Sequence, residues 1–210
     1  ALSWDAVDSR SGGRNSSGDR SSEYTRENGG VSLEIQNVDT GAGTLDIYMT
    51  NQAGCSYCSD PSGYSNEGSC ETLGNLGAGA TWEFSTDIDE ATCESSDTNG
   101  DYSNGEVGGF QFELTNIDIT GATGGSASAA GFTVSTVGIN DNWDSQILAF
   151  SFTGAIIPTG SDLLLTQVTF TSVVNTDICF GTVTNNNVIS DAIGVSVSTE
   201  WGDCYCVSAS

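Results

Sequence analysis

Residues 108–138 read GGFQFELTNIDITGATGGSASAAGFTVSTVG. Phe110, Phe112 and Leu114 occupy alternate positions in this stretch, and a second alternating run extends from Phe132 to Val137. A period of two residues is typical of β-strands that lay one face on a core, and the Gly- and Ser-rich residues between the runs are typical of turns. The stretch therefore predicts strands rather than helices.

Short alternating runs recur along most of the remaining chain. They predict strands at 31–35, 44–50, 81–84, 147–152, 163–170, 178–183, 188–189 and 195–197. No segment shows a convincing helical period. Regularly spaced short strands separated by Gly, Asn and Asp are typical of a sandwich or a barrel. We therefore expect an all-β fold.

Three stretches carry a resemblance to a known family: residues 108–138 as quoted above, ILAFSFTGAIIPTGSDLLLTQVTFTSV at 147–173, and ICFGTVTNNNVISDAIGVSVSTEWGDC at 178–204. They resemble cohesin-type domains, especially those of marine microbial and viral structural proteins. In that family a strand like TLDIYMTN, here 44–51, is followed closely by one like GFQFEL, here 109–114. The resemblance implies a jelly-roll β-sandwich of about nine strands, used for protein–protein assembly or display. In cohesins proper the partner is a dockerin.

The resemblance also predicts how the chain is organised. It covers about residues 31–51 and 108–206, so residues 52–107 are interpreted as a Cys-rich insertion. Residues 1–30 are polar and rich in Ser, Gly and Arg, and they are interpreted as an extended N-terminal arm. The predicted organisation is thus an arm, followed by a cohesin-like sandwich at 31–210 that the insertion interrupts.

Charge is distributed very unevenly along the chain. The 210 residues include 28 acidic residues, four basic residues and no histidine, for a net charge of −24. The basic residues are Arg10, Arg14, Arg20 and Arg26, so every one lies in the arm, and the rest of the chain holds all but five of the acids. Such a body repels nucleic acid and anionic membranes. Its carboxylates must face water, accept hydrogen bonds, bind cations or meet bases from another segment.

The four arginines are therefore candidate subunit contacts. Guanidinium groups in an extended segment could lie along an acidic surface and form charge-assisted hydrogen bonds. Docking on the chain's own body and docking on the next subunit would both explain the charge asymmetry. The latter would generate a head-to-tail assembly. A solvated tail is the alternative.

The missing residue types restrict catalysis. Without His or Lys, the chain cannot form Ser-His-Asp, Cys-His or Ser-Lys arrangements, and His-based metal catalysis is excluded as well. A pair of carboxylates of the glycosidase type and cysteine redox chemistry are what remains. We expect that the chain is not an enzyme.

Cys55-Ser56-Tyr57-Cys58 has the spacing of a redox or zinc motif. It is interpreted as lying in a Gly/Ser/Asp loop, among acids that would raise the thiol pKa values. Zinc would need a second close pair, and Cys70 and Cys93 are far apart in sequence. We therefore predict that Cys55, Cys58, Cys70 and Cys93 form two disulfides, for which three pairings are possible.

Three cysteines follow the insertion. The family resemblance implies a third disulfide between Cys179 and Cys204, although Cys206 could replace Cys204. One cysteine is then left over, either free or in an intermolecular bond. This many cysteines predicts an oxidising compartment. With no long apolar run and a chain that starts Ala1-Leu2-Ser3-Trp4, we expect an extracellular protein, or one at a cell or virion surface, after signal-peptide removal.

Two further sites are predicted from short motifs. Asp97-Thr98-Asn99-Gly100-Asp101 reads like the start of a calcium loop, with Glu106 as a further oxygen ligand. Tyr102 stands where an EF-hand needs Gly, so the site would be irregular, and a solvated acidic turn is the alternative. Asn15-Ser16-Ser17 is an N-glycosylation sequon, which predicts a glycoprotein if it is used.

The sequence supports three functional hypotheses. The first is a non-catalytic structural subunit of an extracellular assembly, such as a filament, surface layer or virion appendage, that binds copies of itself. The second is a carbohydrate-binding or adhesive module, with exposed aromatic side chains as glycan contacts. The candidates are Trp82, Trp143, Trp201, Tyr57 and Tyr64. The third is a glycoside hydrolase.

Overall fold

A computed structural model describes residues 30–60, 62–138, 145–174 and 176–207. These residues form fifteen strands, three short α-helices and one 3-10 helix, which confirms the all-β prediction. The strands are β1 (Val31–Asp39), β2 (Thr44–Asn51), β3 (Gly54–Cys58), β4 (Trp82–Ser85), β5 (Asp101–Ser103), β6 (Gly109–Thr115), β7 (Ile117–Thr123), β8 (Thr133–Gly138), β9 (Ser145–Phe150), β10 (Gly160–Val173), β11 (Asp177–Phe180), β12 (Val188–Ser190), β13 (Ser196–Val197), β14 (Thr199–Trp201) and β15 (Tyr205–Cys206). The helices are α1 (Glu67–Gly77), α2 (Glu90–Cys93), α3 (Gly125–Ala129) and the 3-10 helix Thr184–Asn186.

The first sheet has the strand order β14-β1-β2-β10-β7. Its central strand β2 pairs antiparallel with β1 and β10, so that Ile47 lies opposite Ile35 on one side and Thr166 on the other. The short strand β14 runs parallel to the start of β1. Where β10 meets β2, its register shifts between Gly160 and Leu163 and again just beyond. Bulges of this kind turn individual side chains out of the regular alternation.

The second sheet is centred on β6. Strand β9 pairs along one edge of β6, and β11 and β12 share the other edge. Strand β8 extends the sheet beyond β9, and β13 and β15 extend it beyond β12 and β11. The two sheets contain more strands than the nine expected, because the chain after residue 176 breaks into five short strands.

The core lies between these two sheets. Alternation brings Leu33, Ile47 and Phe112 inward, and all three side chains are fully buried. The Phe112 ring lies 5.7 Å from that of Phe180 and 6.5 Å from that of Trp201. Burying a side chain of this size stabilises a fold by roughly 1.5–3 kcal/mol relative to exposure. This shared core is what fixes the two sheets face to face.

The segment 52–107 has a sheet and a core of its own. The sheet has the order β4-β3-β5, and α1 and α2 contact its central strand. Cys58, Cys70 and Trp82 form a small buried cluster that Tyr64 and Ala80 cover. The segment is therefore a compact subdomain on the body.

One buried residue joins this subdomain to the body. Asn51, the last residue of β2, donates its side-chain amide to the backbone carbonyls of Gly105 and Pro158, the latter at 3.0 Å. Beside it, Val107 and Ile157 exchange backbone hydrogen bonds of 3.0 and 2.8 Å. The two ends of the subdomain are thus attached at one place.

The structure differs from the sequence-based expectations in several details. Residues Cys55–Cys58 were expected in a loop, but they belong to β3. No helix was expected, yet α1 and α2 form, and each begins at a polar N-cap, Asn66 and Asp89, whose side chain accepts a backbone N–H. Both helices are short and bury little apart from a cysteine, so they carry no apolar period. Strands β5, β7, β14 and β15 were not predicted at all.

Candidate functional site

The cysteines of β3 determine how the subdomain is held together. Cys55 is bonded to Cys93 and Cys58 to Cys70, each with a Cα–Cα distance of 5.6 Å. Side chains alternate between the faces of a strand, so residues three apart point to opposite faces. Cys55 therefore reaches α2 on one face, and Cys58 reaches α1 on the other. All four are buried and oxidised, so in this state the motif is neither a dithiol nor a zinc site.

A buried carboxylate fixes the turn within α1. Asp60 accepts backbone N–H bonds from Ser62, at 2.7 Å, and from Asn75. These donors lower the pKa of Asp60, so the carboxylate is ionised at neutral pH. Asn75 and Leu76 both have positive φ, at 50° and 60°, which is unfavourable for a leucine. Asp60 thus holds the backbone in a conformation that leucine alone would avoid.

The turn at Asn75 and Leu76 presents apolar side chains to water. Leu76 is fully exposed and Leu73 is 56% exposed. The Tyr64 hydroxyl donates a hydrogen bond of 3.0 Å to the Leu73 carbonyl, which further fixes this turn. A rigid turn that holds large apolar side chains in solvent is suited to contact another protein.

The candidate calcium ligands are Asp97, Asn99, Asp101 and Glu106, and the structure places them around β5. The side-chain amide of Asn99 donates to the Gly63 carbonyl at 2.8 Å. The three acids do not come together as a group with oxygens within 4.8 Å of one another. Among the described residues the single group of that kind is Asp177, Cys179 and Cys204.

Asp101 has a different neighbour. Burial raises its pKa, and repulsion from the Asp191 carboxylate raises it further. Asp191 belongs to the β12–β13 turn of the body, where it accepts N–H bonds from Ile193 and Val195. Two like charges therefore face each other between the subdomain and the body.

The third disulfide joins Cys179 to Cys204, with a Cα–Cα distance of 4.3 Å. Cys206 is free and exposed, and it lies opposite Asp177 in the β11–β15 ladder. The Asp177 carboxylate is 3.6 Å from the Cys179 sulfur. Because a disulfide sulfur is neither a thiolate nor a proton donor, this group does not form a metal site while the disulfide is intact. The free thiol of Cys206 is two residues from Cys204 in the sequence.

Four of the five candidate glycan contacts lie in the described part of the chain, and each is buried or partly buried. Trp82 is buried in the subdomain cluster, and Trp201 packs 5.4 Å from the Phe180 ring. The Tyr57 hydroxyl donates to Glu83 at 3.1 Å, and burial together with that carboxylate raises the pKa of Tyr57. Tyr64 is half-buried. These four side chains serve packing and hydrogen bonding in this structure.

A shallow pocket on the outer face of the first sheet was not predicted from the sequence. Its lining residues are Ser32, Glu34, Tyr48, Met49, Thr50 and Asp162. Asp162 lies in the β10 bulge with φ +53°, and its N–H donates to the Thr50 hydroxyl at 2.9 Å. Glu34 accepts from the Gln36 amide at 2.8 Å. The lining thus includes two carboxylates, the hydroxyls of Ser32 and Thr50, and the aromatic ring of Tyr48.

Several predicted residues lie outside the described part of the chain. They are Arg10, Arg14, Asn15, Arg20, Arg26 and Trp143. None of the helices in the described part is long and apolar enough to cross a membrane.

No protein-family model matches the sequence, and no curated protein matches it.

Proposed function

We propose that this chain is a non-catalytic structural subunit of an extracellular assembly, such as a filament, surface layer or virion appendage, built by head-to-tail contacts between copies. The observation that carries the proposal is the segregation of charge. All four arginines precede residue 30, whereas residues 31–210 contain no basic side chain. Complementary charge on two parts of one chain favours ordered association with another copy.

Three features of the described residues support this function. The disulfides indicate an oxidising environment of the extracellular kind. Leu73 and Leu76 offer an apolar contact at the turn that Asp60 holds by a hydrogen bond. Cys206 offers an exposed thiol through which neighbouring subunits could be joined covalently.

The body is further proposed to be a cohesin-like domain. The stretches that carry the resemblance supply the strands of the two packed sheets, and the intervening segment 52–107 folds as a separate small sheet. This arrangement supports an assembly domain with an inserted subdomain, since the insertion leaves both large sheets continuous.

Light scattering coupled to size exclusion tests the proposed function. We expect the mass of the full chain to rise with concentration above that of its 21.7 kDa monomer in low salt, with calcium and oxidant present. Association should weaken at about 0.5 M NaCl, because salt screens exposed charges. The Cys206→Ser variant separates non-covalent from disulfide-linked association. A monomer under all of these conditions would contradict the proposal.

A further inference from the structure

We propose that the free Cys206 thiol exchanges with the Cys179–Cys204 disulfide within one molecule, so that strand β15 has two alternative registers on β11. In the second register Cys179 is bonded to Cys206, and Cys204 carries the thiol. The inference concerns the last strand of a single chain. It goes beyond the proposed function and does not depend on assembly.

The β11–β15 ladder determines which side chains share a face. Val207 donates its backbone N–H to the Thr176 carbonyl at 2.7 Å, so these two residues form a hydrogen-bonded pair. Hydrogen-bonded and non-hydrogen-bonded pairs alternate along an antiparallel ladder. The neighbouring pair, Asp177 with Cys206, is therefore non-hydrogen-bonded, and side chains in such a pair lie closest to each other.

The disulfide lies two positions farther along the same ladder. The Cα atoms of Cys179 and Cys204 are 4.3 Å apart, close to the value of about 4.5 Å that is typical of a non-hydrogen-bonded pair. Residues two apart in a strand point to the same face, so Cys206 shares a face with Cys204 and lies diagonally across from Cys179. The Asp177 carboxylate lies within 4.8 Å of both sulfurs of the bond. The free thiol, this carboxylate and the disulfide thus occupy one face of the ladder.

The exchange requires β15 to slip by two residues. Diagonal neighbours in a sheet have Cα atoms about 7–8 Å apart, which is too far for a disulfide unless the backbone moves. A slip of two residues brings Cys206 opposite Cys179. Because the side-chain period of a strand is two, such a slip keeps every side chain on its own face.

The sequence of β15 and its neighbours fits both registers. Residues 204–207 read Cys-Tyr-Cys-Val, in which exposed cysteines alternate with the half-buried Tyr205 and Val207. The slip therefore replaces cysteine with cysteine, and it places Val207 opposite Ile178, where Tyr205 now lies. Strand β15 pairs with β11 over only two residues, so few hydrogen bonds must break. The two extra residues enter the connection at the exposed Asp203, and lengthening an exposed loop costs little free energy.

The exchange is balanced without an oxidant or a reductant. The Cys206 thiolate attacks the Cys179 sulfur, the new bond forms as the Cys179–Cys204 bond breaks, and the Cys204 thiolate takes up the proton that Cys206 released. The molecule keeps one thiol and three disulfides throughout. What changes is the position of the thiol and the register of the strand.

Alkylation of the free thiol in the oxidised full-length chain tests this exchange. The protein is incubated at about pH 8, where a thiol is partly ionised, and is then quenched with excess N-ethylmaleimide. Chymotrypsin digestion can cut after Tyr205 and so separate Cys204 from Cys206 for mass spectrometry. We expect the label on both cysteines, with at least about a tenth of it on Cys204, and the same share at every protein concentration. A disulfide-linked peptide pair of Cys179 and Cys206 should accompany it.

Two variants make the test specific. Cys206→Ser is the matched control, and its Cys204 should stay unlabelled, because no thiol is left to attack the bond. Cys204→Ser should form the Cys179–Cys206 disulfide in a glutathione redox buffer. Label confined to Cys206 in the wild type, or a Cys204–Cys206 linkage, would overturn the inference. So would labelled Cys204 in the Cys206→Ser variant, since its bond would then open without the proposed attack.

Discussion

Replacing Cys55 and Cys93 together with alanine is expected to unfold the inserted subdomain while the two-sheet body stays folded. The bond closes a long loop, with a sequence separation of 38 residues. The chain-entropy relation gives a contribution of about 4 kcal/mol for a loop of that length. The subdomain has a core of only a few side chains, so it has little else to offset such a loss.

Gly100 adds to this sensitivity. A Cβ atom at that position would lie 2.7 Å from the Cys55 sulfur and 2.9 Å from the Cys93 sulfur, so the backbone there closes directly over the bond. Without the bond, this contact and the attachment of α2 are lost together.

Hydrogen exchange followed by mass spectrometry separates the two parts. In the double alanine variant, amides of β3 and β5 should exchange at least a hundredfold faster than in the wild type, while those of β2 and β6 keep their protection. Cys206→Ser is the control, since that cysteine forms no disulfide. Unchanged protection across residues 54–103 would show that the bond does not hold the subdomain together.

Phe112→Ala is expected to destabilise the body by about 3–5 kcal/mol. Phe112 is fully buried at the centre of β6, with ring contacts to Phe110 and Phe180 at 5.7 Å. Removing the ring leaves a cavity between two sheets, each held in register by its own ladder. The surrounding strands therefore cannot close the space.

Urea unfolding monitored by circular dichroism measures this cost. Phe152→Ala makes the same chemical change at a side chain that is 83% exposed, and it should cost less than about 1 kcal/mol. If both variants lost the same free energy of unfolding, the core assigned to the body would be wrong.

Alternation made most of the body predictable from the sequence. Where one face of a strand is buried and the other is polar, as in 44–50 and 110–114, the alternation predicts both the strand and the residues that face the core. Strand β7 was not predicted because it has few apolar residues after Ile119 and pairs with β10 through a shifted register. Strand β3 was not predicted because its buried positions are Gly, Cys and Ser, which do not form an alternating hydrophobic pattern.

The fold determines a disulfide pairing that the sequence left open. Three pairings of the insertion cysteines were possible, and the extended conformation of β3 distinguishes among these pairings. Cys55 and Cys58 point to opposite faces, so each meets the helix on its own side. The calcium prediction depended on spacing in the same way and stays a prediction, and the side-chain amide of Asn99 donates to the Gly63 carbonyl.

The pocket of Glu34 and Asp162 could not be found in the sequence. The two residues are far apart along the chain, and they meet only because β1, β2 and β10 are neighbours in this order. Asp162 lies in the register shift of β10, where its backbone N–H donates to the Thr50 hydroxyl. Neither the strand order nor the bulge has a local signal.

Electron microscopy of the negatively stained full chain, at neutral pH and low salt, tests most directly whether this protein is an assembly subunit. We predict polymers in which one subunit repeats along an axis, and their dispersal when the four arginines are changed to glutamine. Isolated particles of monomer size at every concentration, with or without calcium and oxidant, would contradict the account.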